Sequence, residues 1–396
     1  MKVVWISAYW KSGVKVSPSA AGGLKVNQEI LGRLQRLADV IEIQSSDLPS
    51  LADSHREVEV KYASPLRFWY LVFELRLLFT LVQLTLSFRP HWVFVSKFEG
   101  PPLRVALLAR LFGKYRIATS FYHWSYGFSV KETYGKLRYE LGRGRVGSAL
   151  AAIEEHLGVW SLRFVDVVYC LTDFSKSQLN HLTSISGDRV VMTHGLGVDV
   201  DVIRSCLPRE AGLDAIMIGR ISREKGAFDL IEIWEKVVRE VPSAKVGVIG
   251  AKTSEFDQWA AQLKTSQMEG NITYLGTGLP QEDVYGLTKG AKLFVFPTHI
   301  EGWGIAFAEA ICCGLPIVSY DISPLNTFGA EGIEFVPYLD KAEFAGRIIE
   351  LLNDVSKRKE MSESNLKYAD RFKTWQEVTE LVFAAMRERT PVPICR

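Results

Sequence analysis

Short runs rich in valine, isoleucine and phenylalanine alternate with longer helical patterns along most of the chain. This alternation limits the fold more than any other feature. In the first half the short runs occupy residues 3–7, 40–44, 92–96, 116–121, 167–171 and 190–193. Helical patterns lie between them, for example at 26–38, 66–87 and 103–112. A second series begins at "DAIMIGR" (214–220) and continues with "KVGVIG" (245–250), "ITYLG" (272–276), "KLFVFP" (292–297) and "PIVSYD" (316–321). Alternation of this kind belongs to parallel sheets with helices on both faces. Two series in 396 residues predict an α/β chain of two doubly wound Rossmann-like domains, with the boundary near residues 198–213. Two such domains facing each other leave a cleft, and ligands bind beyond the carboxyl ends of the strands. Residues that carry chemistry should therefore follow strands.

Composition excludes little but directs the reading. With 47% hydrophobic and 23% charged residues, the chain has the make-up of an ordinary globular protein. The net charge of +2 hides an asymmetry, because residues 1–200 hold 24 basic and 17 acidic side chains and the remainder 23 and 28. One half is thus suited to an anionic partner. Five cysteines without a Cys-x-x-Cys spacing indicate neither a disulfide framework nor a zinc site, and fit a reducing compartment. The opening "MKVVWISAYW" lacks the features of a signal peptide and reads as a first strand, so a cytoplasmic protein is expected. "FWYLVFELRLLFTLVQLTL" (68–86) is nearly long enough to span a bilayer, but Glu74 and Arg76 stand near its middle. A charge there costs about 2.5–3.5 kcal/mol on insertion scales. A core helix is expected instead of a membrane-embedded one.

The motifs follow strands. After "AIMIG" comes "RISREKGAFDLIEIW", with Arg220 at the strand end and Lys225 and Gly226 where the next helix begins. A lysine opposes the macrodipole there, so its placement suggests a bound phosphate or diphosphate; a solvated charged loop is the plain alternative. "KLFVFP" leads into "THIEGWG" and the helix "IAFAEAICCG". Glu301 lies in that loop and Glu309 inside the helix, at positions where both could border one ligand at different depths. Carboxylates suit sugar or ribose hydroxyls, and Gly302 and Gly304 permit close backbone approach. A capping role for Glu301 and an internal ion pair for Glu309 are the plain alternatives. Near the start, Gly22-Gly23 could present backbone N–H groups to phosphate or simply form a turn. His123 ends the strand in "ATSFYHW", as a cleft or a structural histidine. Asp199, in "GVDVD", reads as a turn or cap residue.

Together these motifs resemble the family four glycosyltransferases of the GT-B fold, over nearly the whole chain. "EGWGIAFAEAICCGLPIV" is similar to that family's two glutamates separated by seven residues and followed by Gly-x-Pro. "GRISREKG", "LGTGLPQEDVYGLTKGAKLFVFP" and "THGLGVDVDVI" fall in the family's order. The resemblance implies domains at 1–198 and 199–373, with 374–396 as a helix crossing back to the first. It implies a retaining, metal-independent hexosyl transfer from a nucleotide diphosphate sugar, a UDP- or GDP-sugar, with no cofactor. Arg220 and Lys225 would neutralise the leaving diphosphate with the Gly22 and Gly23 amides. Glu301 would contact the donor sugar, Glu309 the ribose, the amides around Trp303, Gly304 and Ile305 the sugar hydroxyls and phosphate, and His123 would sit beside the sugar. The sequence departs from the family in two places. Trp124 follows His123 where Asp is usual, and "ISPLNTFGAEGIEF" (322–335) replaces a Gly-rich stretch.

The first domain would take the acceptor, a glycan or lipid-linked molecule of cell-surface polysaccharide or glycolipid synthesis. Residues 65–145 hold 13 basic and four acidic side chains, and "KETYGKLRYELGRGRVG" interleaves aromatics with cations. That suits an anionic membrane surface, peripherally on its inner face, or a solvated basic face. No recognition motif accompanies the charge, so nucleic acid is not an expected partner. A sugar-nucleotide epimerase or hydrolase, or a catalytically silent sugar-nucleotide binder, would share the donor motifs. A dehydrogenase is disfavoured by the lack of Gly-x-Gly-x-x-Gly after the first strand.

Overall fold

The computed structural model describes residues 1–7, 22–45, 57–60, 69–96, 101–122, 124, 129–135 and 145–390. The chain divides into two compact units, one of Met1–Lys15, Val26–Gly195 and Gln376–Arg396, the other of Val16–Lys25 and Leu196–Trp375.

Among the described residues the first unit is built on seven parallel strands: β1 (Lys2–Ile6), β2 (Asp39–Ser45), β3 (Glu57–Val60), β4 (Trp92–Val95), β5 (Arg116–Phe121), β6 (Val167–Cys170) and β7 (Val190–Met192). Their order is β3-β2-β1-β4-β5-β6-β7, so the direction of winding reverses between β1 and β4. Every residue of β4 and β6 is buried, as expected for strands covered on both faces. Trp5 stacks on Phe94 across β1 and β4, with ring centroids 4.0 Å apart. The helices are α1 (Gly22–Leu37), α2 (Trp69–Ser87), α3 (Pro101–Ala109), α4 (Val130–Gly135), α5 (Arg145–Ser161) and α6 (Asp173–Leu182). Helix α3 packs against both α2 and α5. Helix α2 is only half a core helix. Leu77 and Leu81 are buried, while Leu75 and Phe79 face solvent. Among the described residues no helix is long and apolar enough to cross a membrane.

The second unit has six parallel strands: β8 (Ala215–Ile218), β9 (Val246–Ile249), β10 (Ile272–Gly276), β11 (Leu293–Phe296), β12 (Ile317–Tyr320) and β13 (Ile333–Val336). Their order, β10-β9-β8-β11-β12-β13, puts the reversal between β8 and β11. Around them run α7 (Val200–Ser205), α8 (Ala227–Glu240), α9 (Phe256–Thr265), α10 (Gln281–Gly290), α11 (Ile305–Cys312), α12 (Lys341–Asn353) and α13 (Val355–Ala369). Helix α8 drives Phe228, Ile231 and Trp234 into the core against the sheet, at the three-residue spacing of one helical face. The last helix, α14 (Trp375–Glu388), belongs to the first unit from Gln376 onward. The Tyr169 hydroxyl of β6 donates to the carbonyl of Val382 at 2.8 Å, and the Trp92 indole of β4 donates to Thr390 Oγ1 at 2.8 Å.

Two strands lie outside the sequence reading, β3 and β13. The second begins within 322–335, a stretch read as a loop. Gly22 and Gly23 are also placed differently from expectation, since they open helix α1 instead of lying in a loop before it.

Candidate functional site

The reversal between β8 and β11 sets two loops side by side at the carboxyl end of the second sheet, the place where open α/β sheets bind ligands. The loop after β8 passes through a short 3-10 turn, Arg223–Lys225, and reaches α8 through Gly226. Gly226 has φ 71°, and a Cβ there would lie 1.8 Å from the carbonyl oxygen of Pro297. Only glycine permits both the backbone conformation and the approach. The facing loop answers with backbone bonds: the N–H of His299 donates to the carbonyl of Glu224 at 2.9 Å.

Lys225 and Glu301 meet on this platform. Lys225 Nζ donates to Glu301 Oε1 at 2.6 Å and to the carbonyl of Ile300 at 2.8 Å. Their side chains are only 17% and 12% exposed, so the pair is largely withdrawn from water and holds its geometry. Glu301 thus binds a lysine and does not cap a helix. The N-cap of α11 is Gly304 at φ 93°, where a Cβ would come within 2.8 Å of Leu325 Cδ2. Ile305 opens α11, whose first N–H groups are available to an anion or hydroxyl. Trp303 turns inward and is buried, with its ring 5.5 Å from Phe328 and 5.9 Å from Phe372.

Glu309 lies in the second turn of α11, nearly buried. Its Oε1 accepts from Lys25 Nζ at 2.6 Å and from the Tyr285 hydroxyl at 2.9 Å. Lys25 belongs to the second unit. Burial, and after it the charge of Glu309, pushes the Tyr285 hydroxyl well above its ordinary range. It is therefore a donor at any working pH. Internal pairing of Glu309, one of the two sequence readings, is what the structure shows.

A third polar cluster supports the loop from behind. Asp229, in the first turn of α8, accepts from the Tyr320 hydroxyl at 3.0 Å. It also lies 3.0 Å from His299 Nε2 and 3.1 Å from Lys341 Nζ. Burial opposes ionisation of Asp229, but the hydrogen bonds and charges of His299 and Lys341 outweigh it and hold the carboxyl below its usual range. His299 is thereby fixed two residues ahead of Glu301.

Not every candidate gathers here. Arg220 pairs with Glu224 at 3.0 Å and is 43% exposed, outside the Lys225–Glu301 pair. His123 lies outside the described residues, as do 136–144 of the basic stretch. Asp199 stands at the N-cap position of α7 without a side-chain cap bond. Lys25, Asp229 and His299 were not singled out from the sequence. Only His299 carried a signal, its place within the same loop as Glu301. Among the described residues no cluster of His, Cys, Asp or Glu is placed to hold a metal ion.

Residues 204–368, which span this platform, match the model of the family described as glycosyl transferases group 1. The match covers less than half of the chain. The chain has curated relatives of modest identity. The chain is 28% identical over 231 residues to O-antigen chain mannosyltransferase B of Escherichia coli, covering 55% of this chain and 60% of that protein. It is 25% identical over 228 residues to the poly(glycerol-phosphate) alpha-glucosyltransferase of Bacillus subtilis, covering 56% of this chain and 32% of that one. The chain thus spans less than two thirds of these relatives. In structure it is similar to the Anabaena protein HepE, solved in complex with UDP and glucose. The TM-score is 0.73 at 12% identity, over 98% of this chain and 99% of that one. That likeness bears out the two-domain α/β fold of the GT-B glycosyltransferases.

Proposed function

We propose that the protein is a retaining glycosyltransferase moving a hexosyl group from a nucleotide diphosphate sugar to a glycan or lipid-linked acceptor. The observation that carries the reading is the Lys225–Glu301 pair, held between neighbouring strand ends at the winding reversal of a glycosyl transferases group 1 region. The donor is taken to be a UDP- or GDP-sugar, in keeping with the UDP and glucose bound by HepE.

In this reading Lys225, and Arg220 once it turns from Glu224, meet the diphosphate, aided by the α11 amides at Gly304 and Ile305 and by Gly22 and Gly23. Glu301 accepts from donor-sugar hydroxyls near the ring and stabilises the positive charge that develops there. Glu309 binds the ribose, with Lys25 and Tyr285 fixing its carboxylate. His123 is assigned beside the sugar by family position alone. The bond from the anomeric carbon to the diphosphate oxygen breaks, and a bond to the acceptor hydroxyl oxygen forms on the same face. The acceptor's proton passes to the leaving diphosphate, so charge and atoms balance without a metal. A cytoplasmic station, peripheral on an anionic membrane, belongs to this reading, since a lipid-linked acceptor offers its reactive end there.

Thermal shift against UDP, GDP, ADP and their sugar conjugates tests it. A ligand at about 100 times its dissociation constant adds about 2.7 kcal/mol of stability. A base-selective shift supports the donor site, and release of free sugar without an acceptor would favour a hydrolase. No shift with any nucleotide sugar overturns the reading.

A further inference from the structure

We propose that the outer face of α2, α3 and α5 docks on an anionic lipid surface. The proposal deepens the membrane part of the reading above and rests on it for the nature of the acceptor.

Along α5 and the 3-10 turn Leu162–Phe164 that follows it, Val146, Leu150, Ile153, Leu157, Trp160 and Phe164 are exposed. Their spacing of three and four residues places them on one stripe. The other exposed side chains described on this segment are Arg145 and Arg163, one at each end. The neighbouring α3 presents Leu108, and the turn after it Leu111 and Phe112. Beyond α3, helix α2 presents Leu75, Phe79 and Leu86. These three helices and their turns carry 12 of the 21 exposed large hydrophobic residues described in the chain, so the exposure is gathered on one face and not scattered. Scattered apolar residues need no explanation, whereas a gathered patch marks an interaction surface.

Charge selects the occupant. The fully exposed charged residues described on these helices and their turns are Arg76, Arg145 and Arg163, while the half-exposed Glu74 and Glu154 have Arg104 as a counter-charge, at 3.4 and 3.3 Å. A second copy meeting this face through a two-fold axis would bring like charges together. An anionic headgroup layer supplies the opposite charge, and the aliphatic and aromatic side chains suit the boundary beneath it. A stripe of this kind lies in the interface and does not span it, which agrees with the lack of a crossing helix among the described residues.

Co-sedimentation of the full-length protein with vesicles tests the assignment. Vesicles of phosphatidylcholine and phosphatidylglycerol in equal parts should bring down the protein, and pure phosphatidylcholine should not. Replacing Leu150, Leu157 and Trp160 together by glutamine should lower the partition at least about tenfold. Replacing Arg145 and Arg163 by glutamine should weaken the preference for the anionic lipid. Each variant's thermal midpoint and nucleotide-sugar shift are measured alongside, so that vesicle binding and the donor site fail separately. Protein left in the supernatant overturns the proposal, as does binding that ignores both sets of substitutions. A dimer by light scattering that the glutamine variant dissolves, without vesicle binding, overturns it too and assigns the face to a second copy.

Discussion

Helices α8 and α5 do the same topological work, each covering one face of a parallel sheet, yet their outer faces differ. On α8 the exposed residues are Glu232, Arg239 and Glu240, all charged. On α5 and its following turn they are six hydrophobic residues and two arginines. The sheet determines what a helix must bury, because the inward stripe has to meet the strands. It does not determine the outward side. There α8 presents charge, with Glu232 paired to Lys341 of α12 at 2.8 Å, while α5 presents a hydrophobic face.

The comparison can be sharpened with one residue type. Trp234 on α8 is fully buried and Trp160 on α5 is 51% exposed. Trp234→Ala should cost about 3–5 kcal/mol by urea unfolding. Trp160→Ala should stay within about 0.5 kcal/mol and show itself in vesicle binding alone. A large loss of stability at Trp160 would erase the contrast between the two helices. In the second unit, Glu301→Gln should lower turnover by about 10²–10³ while changing donor affinity far less. Lys225→Ala should weaken donor binding as well as turnover. Near-normal kinetics in both variants would remove the chemistry from this platform. Gly226→Ala forces a Cβ onto the Pro297 carbonyl, so it should cost about 1–3 kcal/mol and loosen the β8 and β11 loops together. That loosening would register as a weaker nucleotide-sugar shift. The smallest effect is in acid. Asp229 has its carboxyl held low in the folded protein, so its contribution to stability is present above the unfolded-state value of about 3.9. That contribution is lost as pH falls through the folded value. The gap in unfolding midpoint between the wild type and Asp229→Asn should therefore narrow on acidification.

Most strands could be read from sequence because a buried parallel strand is an unbroken apolar run. The two that escaped, "EVEV" of β3 and "IEFV" of β13, are both at sheet edges. Glutamates interrupt them, since an edge strand need not be apolar throughout. Lys225 and Glu301 were legible for a similar reason, as each follows a recognisable strand closely. Lys25 was not, because 284 residues separate it from Glu309. The Asp229 cluster draws on α8, two strand ends and α12, a convergence that spacing alone cannot reveal. The basic stretch of 65–145 pointed to the first unit as a contact surface by charge, but the apolar rows on α2, α3 and α5 became visible only once burial divided each helix into two sides.

Lys225 has three N–H groups, and the Glu301 carboxylate and the Ile300 carbonyl occupy two of them. An incoming phosphate oxygen would find the third already aimed by the other two. The side chain's freedom was surrendered when the chain folded, so little entropy remains to be lost on binding. The same pair keeps a lone ammonium from standing uncompensated in a sparsely hydrated place. Glu301 is therefore the counter-ion that makes a long flexible lysine rigid.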